Sequence, residues 1–400
     1  MTTEQPAAEE LAASDEAAKT DEATEPAAVG EPTELVEEPE PEGELAGLPV
    51  IWHQDCLRHE PGGEVWLGVW EKGTEVPERA SVLRSAVQAA GATVFDAQPH
   101  GIGGLVAVHD AELIVHLTTI WQRWESGGYP AEYGRNRVVP YVFPTAGLLG
   151  GLPLRPVTAV HGQVGRFCYD TMTLVGPGTW EAIRAAADAA LTAADLVAAG
   201  TRQAYAICRP PGHHAGPDSY GGSCYLNNAA IAADALRRKG AERVAVIDID
   251  AHHGNGTQAI FYDRPDVYYG SVHVDPDAGW FPHYMGRADE RGTGLGEGAN
   301  RNVPLAPATG DDEWLAAVGL ICDEVRARGA DSIVVSLGVD AAAADPESPL
   351  LVSAEGYRRA GELIGALGPV VAVQEGGYDL PSLGDLVVAT LAGLLTGSRS

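Results

Sequence analysis

The sequence is poor in basic residues, with 26 Lys and Arg against 56 Asp and Glu, which gives a formal net charge of −30. An acidic surface repels nucleic-acid phosphates and anionic membrane surfaces. We therefore expect neither a nucleic acid nor a membrane as a partner.

Cysteine is also scarce. The five cysteines are widely spaced and form no Cys-x-x-Cys pair. This pattern argues against a disulfide framework and against a thiolate zinc site. We expect reduced, buried thiols.

The amino-terminal segment lacks both the basic start and the apolar core of a signal peptide, and we find no run long and apolar enough to span a bilayer. A cytoplasmic location is expected. Residues 1–46 also lack aromatic residues and are rich in Ala, Glu, Pro and Thr. Such a segment buries too little apolar surface to offset its ordering entropy. We predict a disordered acidic tail over residues 1–46 and one folded domain over residues 47–400.

Past the tail, apolar strand patterns alternate with helical patterns, which predicts an α/β fold with a central parallel sheet flanked by helices. Two helices are predicted by apolar spacing that ends at a glycine, over residues 180–199 and 228–239. The clearest strands are predicted at residues 203–208, 243–249, 267–272, 332–337 and 369–373.

Four of these strands run directly into polar or glycine-rich sequence, at residues 209–214, 250–258, 338–340 and 374–378. Ligand sites in open α/β sheets lie outside the carboxyl ends of strands. We therefore expect the four loops to meet at one edge. Residues 147–155 and 286–307 are predicted as long connections with little helix or strand.

Two aspartates on one apolar strand are the most informative feature of the chain. Asp248, Asp250 and His252 share one side if the strand stays extended, and burying a carboxylate is costly unless a cation or partner compensates. Asp340, from another strand end, would complete a ligand set with Asp250 and His252. Mixed N/O ligation with an open position suits catalytic Zn²⁺, and Fe²⁺ or Co²⁺ would accept similar ligands.

A simpler interpretation is that Asp250 and Asp340 cap helices and that His252 and His253 are surface loop residues. It would be preferred for an isolated Asp-x-His. The strand position and the second strand-terminal aspartate favour a metal.

Two further polar motifs can supply proton transfer and hydrogen bonding. His213 and His214 follow a rigid Pro-Pro-Gly segment, and they can divide acid and base roles if His213 pairs with Asp248 and His214 with Asn255. Tyr378 follows two glycines and could donate to a developing oxyanion. With a metal to polarise a carbonyl and activate water, these parts predict amide hydrolysis without a covalent intermediate.

In these motifs the sequence resembles the histone deacetylase superfamily, especially its class II and bacterial acetylpolyamine amidohydrolase branch. The resemblance extends over about residues 48–395. The resemblance implies the arginase/deacetylase fold and a deacetylase-like catalytic domain that removes acetyl or other short acyl groups from an amine, such as an acetylated polyamine or acetyl-lysine. It also implies Zn²⁺ held by Asp250, His252 and Asp340, and catalysis by His213, His214 and Tyr378. The matching motifs are Arg-Pro-Pro-Gly-His-His-Ala at 209–215, Asp-Ile-Asp-Ala-His-His-Gly-Asn-Gly-Thr-Gln at 248–258, Gly-Val-Asp at 338–340 and Glu-Gly-Gly-Tyr at 375–378.

The same resemblance implies a structural K⁺ and a substrate tunnel. The K⁺ would use Asp248, Asp250, the His252 carbonyl, Ser271 and the Val272 carbonyl. The tunnel would be lined by Gly222, Ser223 and Phe281.

The resemblance further implies a homodimer, formed through a long loop at residues 127–158. Three positions depart from it: His161 and Met172 replace acidic residues that select cationic polyamines, and Ser223 replaces an aromatic wall. Negative charge at the tunnel mouth could instead come from Asp170, Glu125 and Glu132.

Two other functions remain open from the sequence. An arginase-like ureohydrolase with two Mn²⁺ ions shares the fold but needs extra bridging aspartates, whereas His253 follows His252 and Gly338-Val339-Asp340 lacks an Asp-x-Asp pattern. A non-catalytic acyl-ligand-binding protein would be indicated by loss of Tyr378 or of a metal ligand, and neither is lost.

Overall fold

The architecture is built on an eight-stranded sheet whose strands run parallel, in the order β4-β1-β5-β10-β9-β6-β7-β8. The structure is a computed structural model and describes residues 43–399. Two short strands form a separate antiparallel hairpin, β2–β3. In this part of the chain the strands are β1 (Pro49–Trp52), β2 (Glu64–Trp66), β3 (Val69–Glu71), β4 (Thr93–Asp96), β5 (Gln203–Ala206), β6 (Val244–Asp248), β7 (Val267–Val274), β8 (Asn300–Leu305), β9 (Ser332–Leu337) and β10 (Val370–Gln374).

Helices cover both faces of the sheet. They are α1 (Glu78–Ala89), α2 (Ala111–Ser126), α3 (Ala146–Leu149), α4 (Val160–Phe167), α5 (Thr179–Ala198), α6 (Asn228–Arg238), α7 (Asn255–Phe261), α8 (Asp311–Arg328), α9 (Ala354–Gly365) and α10 (Leu380–Gly397). This confirms the predicted α/β class with a central parallel sheet.

The core forms two layers because side chains on a strand alternate between the two faces. On β6, Val244 and Val246 pack in the layer of α2, α5 and α6. Their neighbours Ala245 and Ile247 pack in the layer of α1, α8, α9 and α10. Strands buried on both faces are typical of parallel sheets.

The sequence analysis missed three strands of the central sheet, β1, β4 and β8. Strands β1 and β4 extend the sheet beyond β5. Residues 286–307, predicted as a connection without regular structure, contain β8. A proline at 304 is compatible with a strand there because β8 is the edge of the sheet.

One described helix, α10, is long and apolar enough to cross a membrane by length and composition, with a mean hydropathy of 1.5. The expectation that no such run exists was therefore wrong by that measure. Within the structure 61% of this segment is buried, and α10 packs on α9 and α1, so its apolar sequence serves the core.

Most of the predicted tail lies outside the described residues. Its last part, residues 43–46, is described: Leu45 is buried and its backbone N–H donates to the carbonyl of Ala90 at 2.9 Å. All five cysteines are buried and unpaired.

Candidate active site

The loops that follow β5, β6, β9 and β10 meet at the carboxyl edge of the sheet, as predicted. Strands β10, β9 and β6 are neighbours, and β5 pairs with β10 on the other side. Their end residues therefore lie side by side. Two aspartates and one histidine from these loops form a cluster that could hold a metal: Asp250, His252 and Asp340.

The cluster is tight and buried. His252 Nδ1 lies 3.0 Å from Asp340 Oδ2 and 3.2 Å from Asp250 Oδ1, and both carboxylates are 0% exposed. His252 lies against both carboxylates, and a second imidazole, that of His213, places its Nε2 3.8 Å from Asp250 Oδ1. Burial and the charge of Asp250 raise the pKa of Asp340 to about 7.

Backbone groups orient the ligands. The N–H of Gly376 donates to Asp250 Oδ2 at 2.8 Å, and the N–H of Ala251 donates to Asp340 Oδ1 at 2.7 Å. The second oxygen of each carboxylate, Asp250 Oδ1 and Asp340 Oδ2, faces His252 Nδ1. A Cβ on Gly338 would lie 2.1 Å from Asp250 Oδ2, so only glycine leaves room for this carboxylate. Two carboxylates and one imidazole fit the N/O donor set of catalytic zinc.

The simpler interpretation, with helix-capping aspartates and surface histidines, does not describe these residues. Helix α7 has Gly254 as its N-cap, so Asp250 caps nothing there. His253 is 1% exposed, and its Nε2 lies 3.0 Å from Gln258 Oε1. Of these two adjacent histidines, His252 faces the carboxylates of Asp250 and Asp340.

The neighbouring histidines have the two different partners that the sequence analysis assigned to them. His213 Nδ1 lies 3.1 Å from Asp248 Oδ2, whereas His214 Nδ1 lies 2.7 Å from Asn255 Oδ1. Burial lowers the pKa of His213, but Asp250 and Asp248 outweigh it and raise the value to about 10. Burial and the charges of His213 and His252 lower the pKa of His214 well below its usual range.

Asp248 is also placed for a second role. Its register partner on β7 is Ser271, and both are 0% exposed. The hydroxyl of Tyr269 donates to Asp248 Oδ2 at 3.0 Å. Asp248, Ser271 and Val272 thus lie on the adjoining strands β6 and β7.

Tyr378 is held from two sides. Asp345 Oδ2 accepts its backbone N–H at 2.6 Å, and the Arg79 guanidinium lies 4.7 Å from the centre of its ring. Burial, Asp250 and Asp340 outweigh the opposing effect of Arg79 and raise the pKa of Tyr378 well above its usual range. The phenol therefore remains a donor at neutral pH.

Two of the three predicted tunnel residues, Gly222 and Phe281, lie against His214. A Cβ on Gly222 would lie 2.4 Å from the His214 ring and 2.8 Å from Phe281, and the Phe281 ring lies edge-on to that of His214 at 4.8 Å. Ser223 follows in a left-handed conformation, with φ 61°. The sequence analysis missed an aromatic residue here: Tyr169 stacks on Phe281 at 6.4 Å and donates to the His214 carbonyl.

The structure places the three acidic residues expected near the mouth in different surroundings. Asp170 accepts from the N–H groups of Gly222, Met172 and Thr173 at 2.6–2.9 Å, so its carboxylate fixes the position of Gly222. His161 contacts the hydroxyl of Tyr129, and Glu125 and Glu132 are exposed.

Two glutamates outside the motifs, Glu64 and Glu347, interact with residues of this region. Burial, Glu347, Asp170 and Glu71 together raise the pKa of Glu64 to about 7. The Glu347 carbonyl accepts from the indole of Trp280, the residue before Phe281. Glu64 lies on the small hairpin, where no sequence motif indicated it.

Comparison with known proteins places the chain among deacetylases. The histone deacetylase domain profile matches residues 73–394. The acetylpolyamine amidohydrolase of Mycoplana ramosa is 40% identical over 349 residues, which cover 87% of this chain and 99% of that protein. Histone deacetylase 8 of Arabidopsis thaliana is 32% identical over 370 residues, 87% of this chain and 88% of that protein. The crystal structure of the acetylpolyamine aminohydrolase from Burkholderia pseudomallei has a TM-score of 0.81 at 39% identity and covers 88% of this chain and 99% of its own.

Proposed function

The chain belongs to the histone deacetylase family, and we propose that it is a zinc-dependent amidohydrolase that removes an acetyl or other short acyl group from a small amine. The buried cluster of Asp250, His252 and Asp340 beside two histidines with different partners carries this proposal. As a member of this family it is a hydrolase of linear amide bonds.

The metal would be held by Asp250, His252 and Asp340. A bound zinc ion supplies Lewis acidity toward the amide carbonyl and lowers the pKa of a coordinated water. Fe²⁺ or Co²⁺ would suit the same ligands. We also propose that a K⁺ is held by Asp248, Asp250, the His252 carbonyl, Ser271 and the Val272 carbonyl, which would offset the charge of the buried Asp248.

The two histidines would divide the proton transfers. An amide oxygen at Nδ1 leaves His214 neutral, so its Nε2 is free to take a proton from the attacking water. The carboxylate of Asp248 stabilises His213 as an imidazolium, which can donate its proton to the leaving amine. Water adds to the carbonyl carbon, the C–N bond breaks, and the products are a carboxylate and an ammonium.

Tyr378 would stabilise the tetrahedral intermediate. Its phenol stays protonated, and Asp345 and Arg79 hold its backbone and ring in place. A preorganised donor of this kind stabilises developing negative charge on the former carbonyl oxygen.

For the substrate we propose an acylated polyamine in preference to an acetyl-lysine peptide. The relatives with the greatest similarity reported above are named for acetylpolyamines. Glu64 and Glu347 would meet a distal ammonium of such a substrate, replacing the acidic residues absent at His161 and Met172.

The substrate proposal is tested by measuring kcat/KM on acetylated diamines and polyamines, an uncharged acetylated alkylamine and an acetyl-lysine peptide. Glu64→Gln and Glu347→Gln should each raise KM for the polyamine by roughly 3- to 10-fold, since each removes one partly screened charge interaction, and leave the uncharged substrate unchanged. Glu125→Gln, on an exposed helix position, is the control. Equal losses on charged and uncharged substrates would refute the charge assignment.

A two-manganese ureohydrolase is disfavoured by His253. Its ring lies against Gln258 and against His273 at 4.7 Å, where a bridging carboxylate would be required. Metal analysis separates the two functions: one zinc per chain supports the deacylase, and two manganese ions per chain support the ureohydrolase.

A further inference from the structure

Beyond the residues that act on the substrate, we infer that Glu375 is a positioning residue that fixes the His213 loop against the Tyr378 loop. This inference rests on the proposed function. Its side chain is 0% exposed, and none of the chemistry described above uses it.

The loop that carries His213 has few ways to satisfy its backbone. Pro210 and Pro211 have no N–H to donate, and the following residues, Gly212 and His213, are buried. Both of their N–H groups donate to one oxygen, Glu375 Oε2, at 2.6 Å and 3.1 Å. Buried N–H groups without an acceptor are rare because they are costly. The contact with Glu375 therefore fixes the position of the His213 backbone.

Glu375 belongs to the loop that leads to Tyr378, three residues further on. That loop is fixed in turn by Arg79, which donates to the carbonyls of Glu375 and Gly377 at 2.6 Å and 2.7 Å. Strands β10 and β5, which feed the two loops, are paired up to Val373 and Ala206. Beyond this pair the Glu375 side chain continues the connection between the two catalytic loops.

The second carboxylate oxygen, Oε1, is buried and has no hydrogen-bond partner among the described residues. A glutamine can keep its oxygen on the two N–H groups, and its NH₂ would then be buried without an acceptor, which costs stability and not the contact that positions His213. Alanine removes the acceptor, and aspartate withdraws it by one methylene. Substitutions at Glu375 thus weaken the contact with the two N–H groups in steps, from glutamine through aspartate to alanine.

The experiment compares Glu375→Ala, Glu375→Gln and Glu375→Asp with the wild type. Because misplacement of a reacting group by about 1 Å can cost on the order of 100-fold in rate, Glu375→Ala should lower kcat by about 10- to 100-fold with KM within about 3-fold. Glu375→Gln should remain within about 5-fold of the wild type, and Glu375→Asp should fall between. Hydrogen exchange of the peptide spanning residues 209–214 should speed up in Glu375→Ala and not in Glu375→Gln.

Asp331 provides a matched control, since its Oδ2 also accepts two consecutive N–H groups, from Glu242 and Arg243, at the other end of β6. Asp331→Ala should leave kcat within 2-fold of the wild type, because only the Glu375 pair reaches a catalytic loop.

A double-mutant cycle with His213→Ala tests whether Glu375 acts through that histidine. If it does, Glu375→Ala should cost much less in the His213→Ala background than in the wild type. Fully additive losses, a kcat of Glu375→Ala within 2-fold of wild type, or a Glu375→Gln variant as impaired as Glu375→Ala would each overturn the inference. Should Glu375→Ala fail to fold, the Gln and Asp variants carry the same comparison. An inactive wild type would instead refute the proposed function.

Discussion

The pKa values of two adjacent imidazoles shift in opposite directions: the charges of Asp250 and Asp248 outweigh burial and raise that of His213, whereas burial and the charges of His213 and His252 lower that of His214. Asp248 stabilises a cationic His213, and Asn255 accepts from a neutral His214. Their rings are only 4.0 Å apart, so the charge on His213 further discourages protonation of His214. In the proposed mechanism, the site would thus present a proton donor and a proton acceptor at the same pH.

The phenol of Tyr378 gives the sharpest prediction for a single residue. Tyr378→Phe keeps the ring beside Arg79 and removes only the donor, so kcat should fall by about 100- to 1000-fold with little change in KM. Steady-state kinetics of the zinc-loaded protein check this. Tyr284→Phe, at a tyrosine that is 91% exposed, is the control. A Tyr378→Phe enzyme within 2-fold of the wild type would contradict the assigned role.

The sequence predicted the residues that sit in motifs at strand ends and missed those that support them from a distance. Asp250, His252 and Asp340 could be brought together because carboxyl ends of parallel strands share an edge. Asp345, Arg79 and Glu64 come from a loop, a helix and a hairpin whose positions depend on tertiary packing. No local pattern marks them, since Asp345 and Arg79 contact Tyr378 across long sequence separations and the charged neighbours of Glu64 come together only in the folded chain.

At the scale of elements, the sequence predicted the central strands because they are buried on both faces and have continuous apolar runs. It missed β8, an edge strand with a half-polar pattern, and it did not foresee an apolar helix like α10. Most of this helix is buried, and its apolar composition follows from packing against both α1 and α9.

Helices α9 and α10 approach closely through glycines on their facing sides. A Cβ on Gly393 would lie 2.0 Å from the Arg358 carbonyl oxygen, and one on Gly361 would lie 2.2 Å from that of Thr390. The backbone of one helix thus occupies the space that a side chain of the other would need.

Gly393→Ala should therefore destabilise the protein by about 1–3 kcal/mol, because the helices must separate to admit the methyl group. Urea unfolding followed by circular dichroism measures this. Gly319→Ala on α8 is the matched control: no atom lies within 4 Å of its added Cβ, and higher helix propensity should stabilise it by up to about 1 kcal/mol. Equal effects at both positions would contradict the close packing.

At the scale of the whole molecule, a bound metal would link catalysis to stability. The buried carboxylates of Asp250 and Asp340 repel each other when no cation is bound, so chelation should abolish activity and lower the melting temperature. Binding at 100 times the dissociation constant contributes about 2.7 kcal/mol, so a shift of several degrees is expected. Activity and melting curves with a chelator, and after zinc is restored, measure both effects.

Asp340→Ala is the control for metal removal. It should lack one ligand, bind zinc weakly and show no change in melting temperature with chelator. A chelator effect of the same size in Asp340→Ala would mean that the stabilising ion lies elsewhere.

The expected homodimer gives the last prediction for the whole molecule. The segment around α3 exposes Leu148 and Leu152, which are 63% and 71% exposed. Both line a cavity of about 970 Å³ between this segment, α2 and α4. Apolar groups gathered in this way on a strongly acidic protein typically mark an interface.

We therefore predict a dimer of twice the 41.8 kDa chain mass, measured by light scattering after size-exclusion chromatography. Leu152→Glu and Leu148→Glu should each shift the protein toward monomer, because a dimer interface would bury the new charge without a partner. Leu295→Glu is the control, since Leu295 is 83% exposed but does not line this cavity. A monomeric wild type, or a dimer that survives both leucine substitutions, would show that this segment is not the dimer interface.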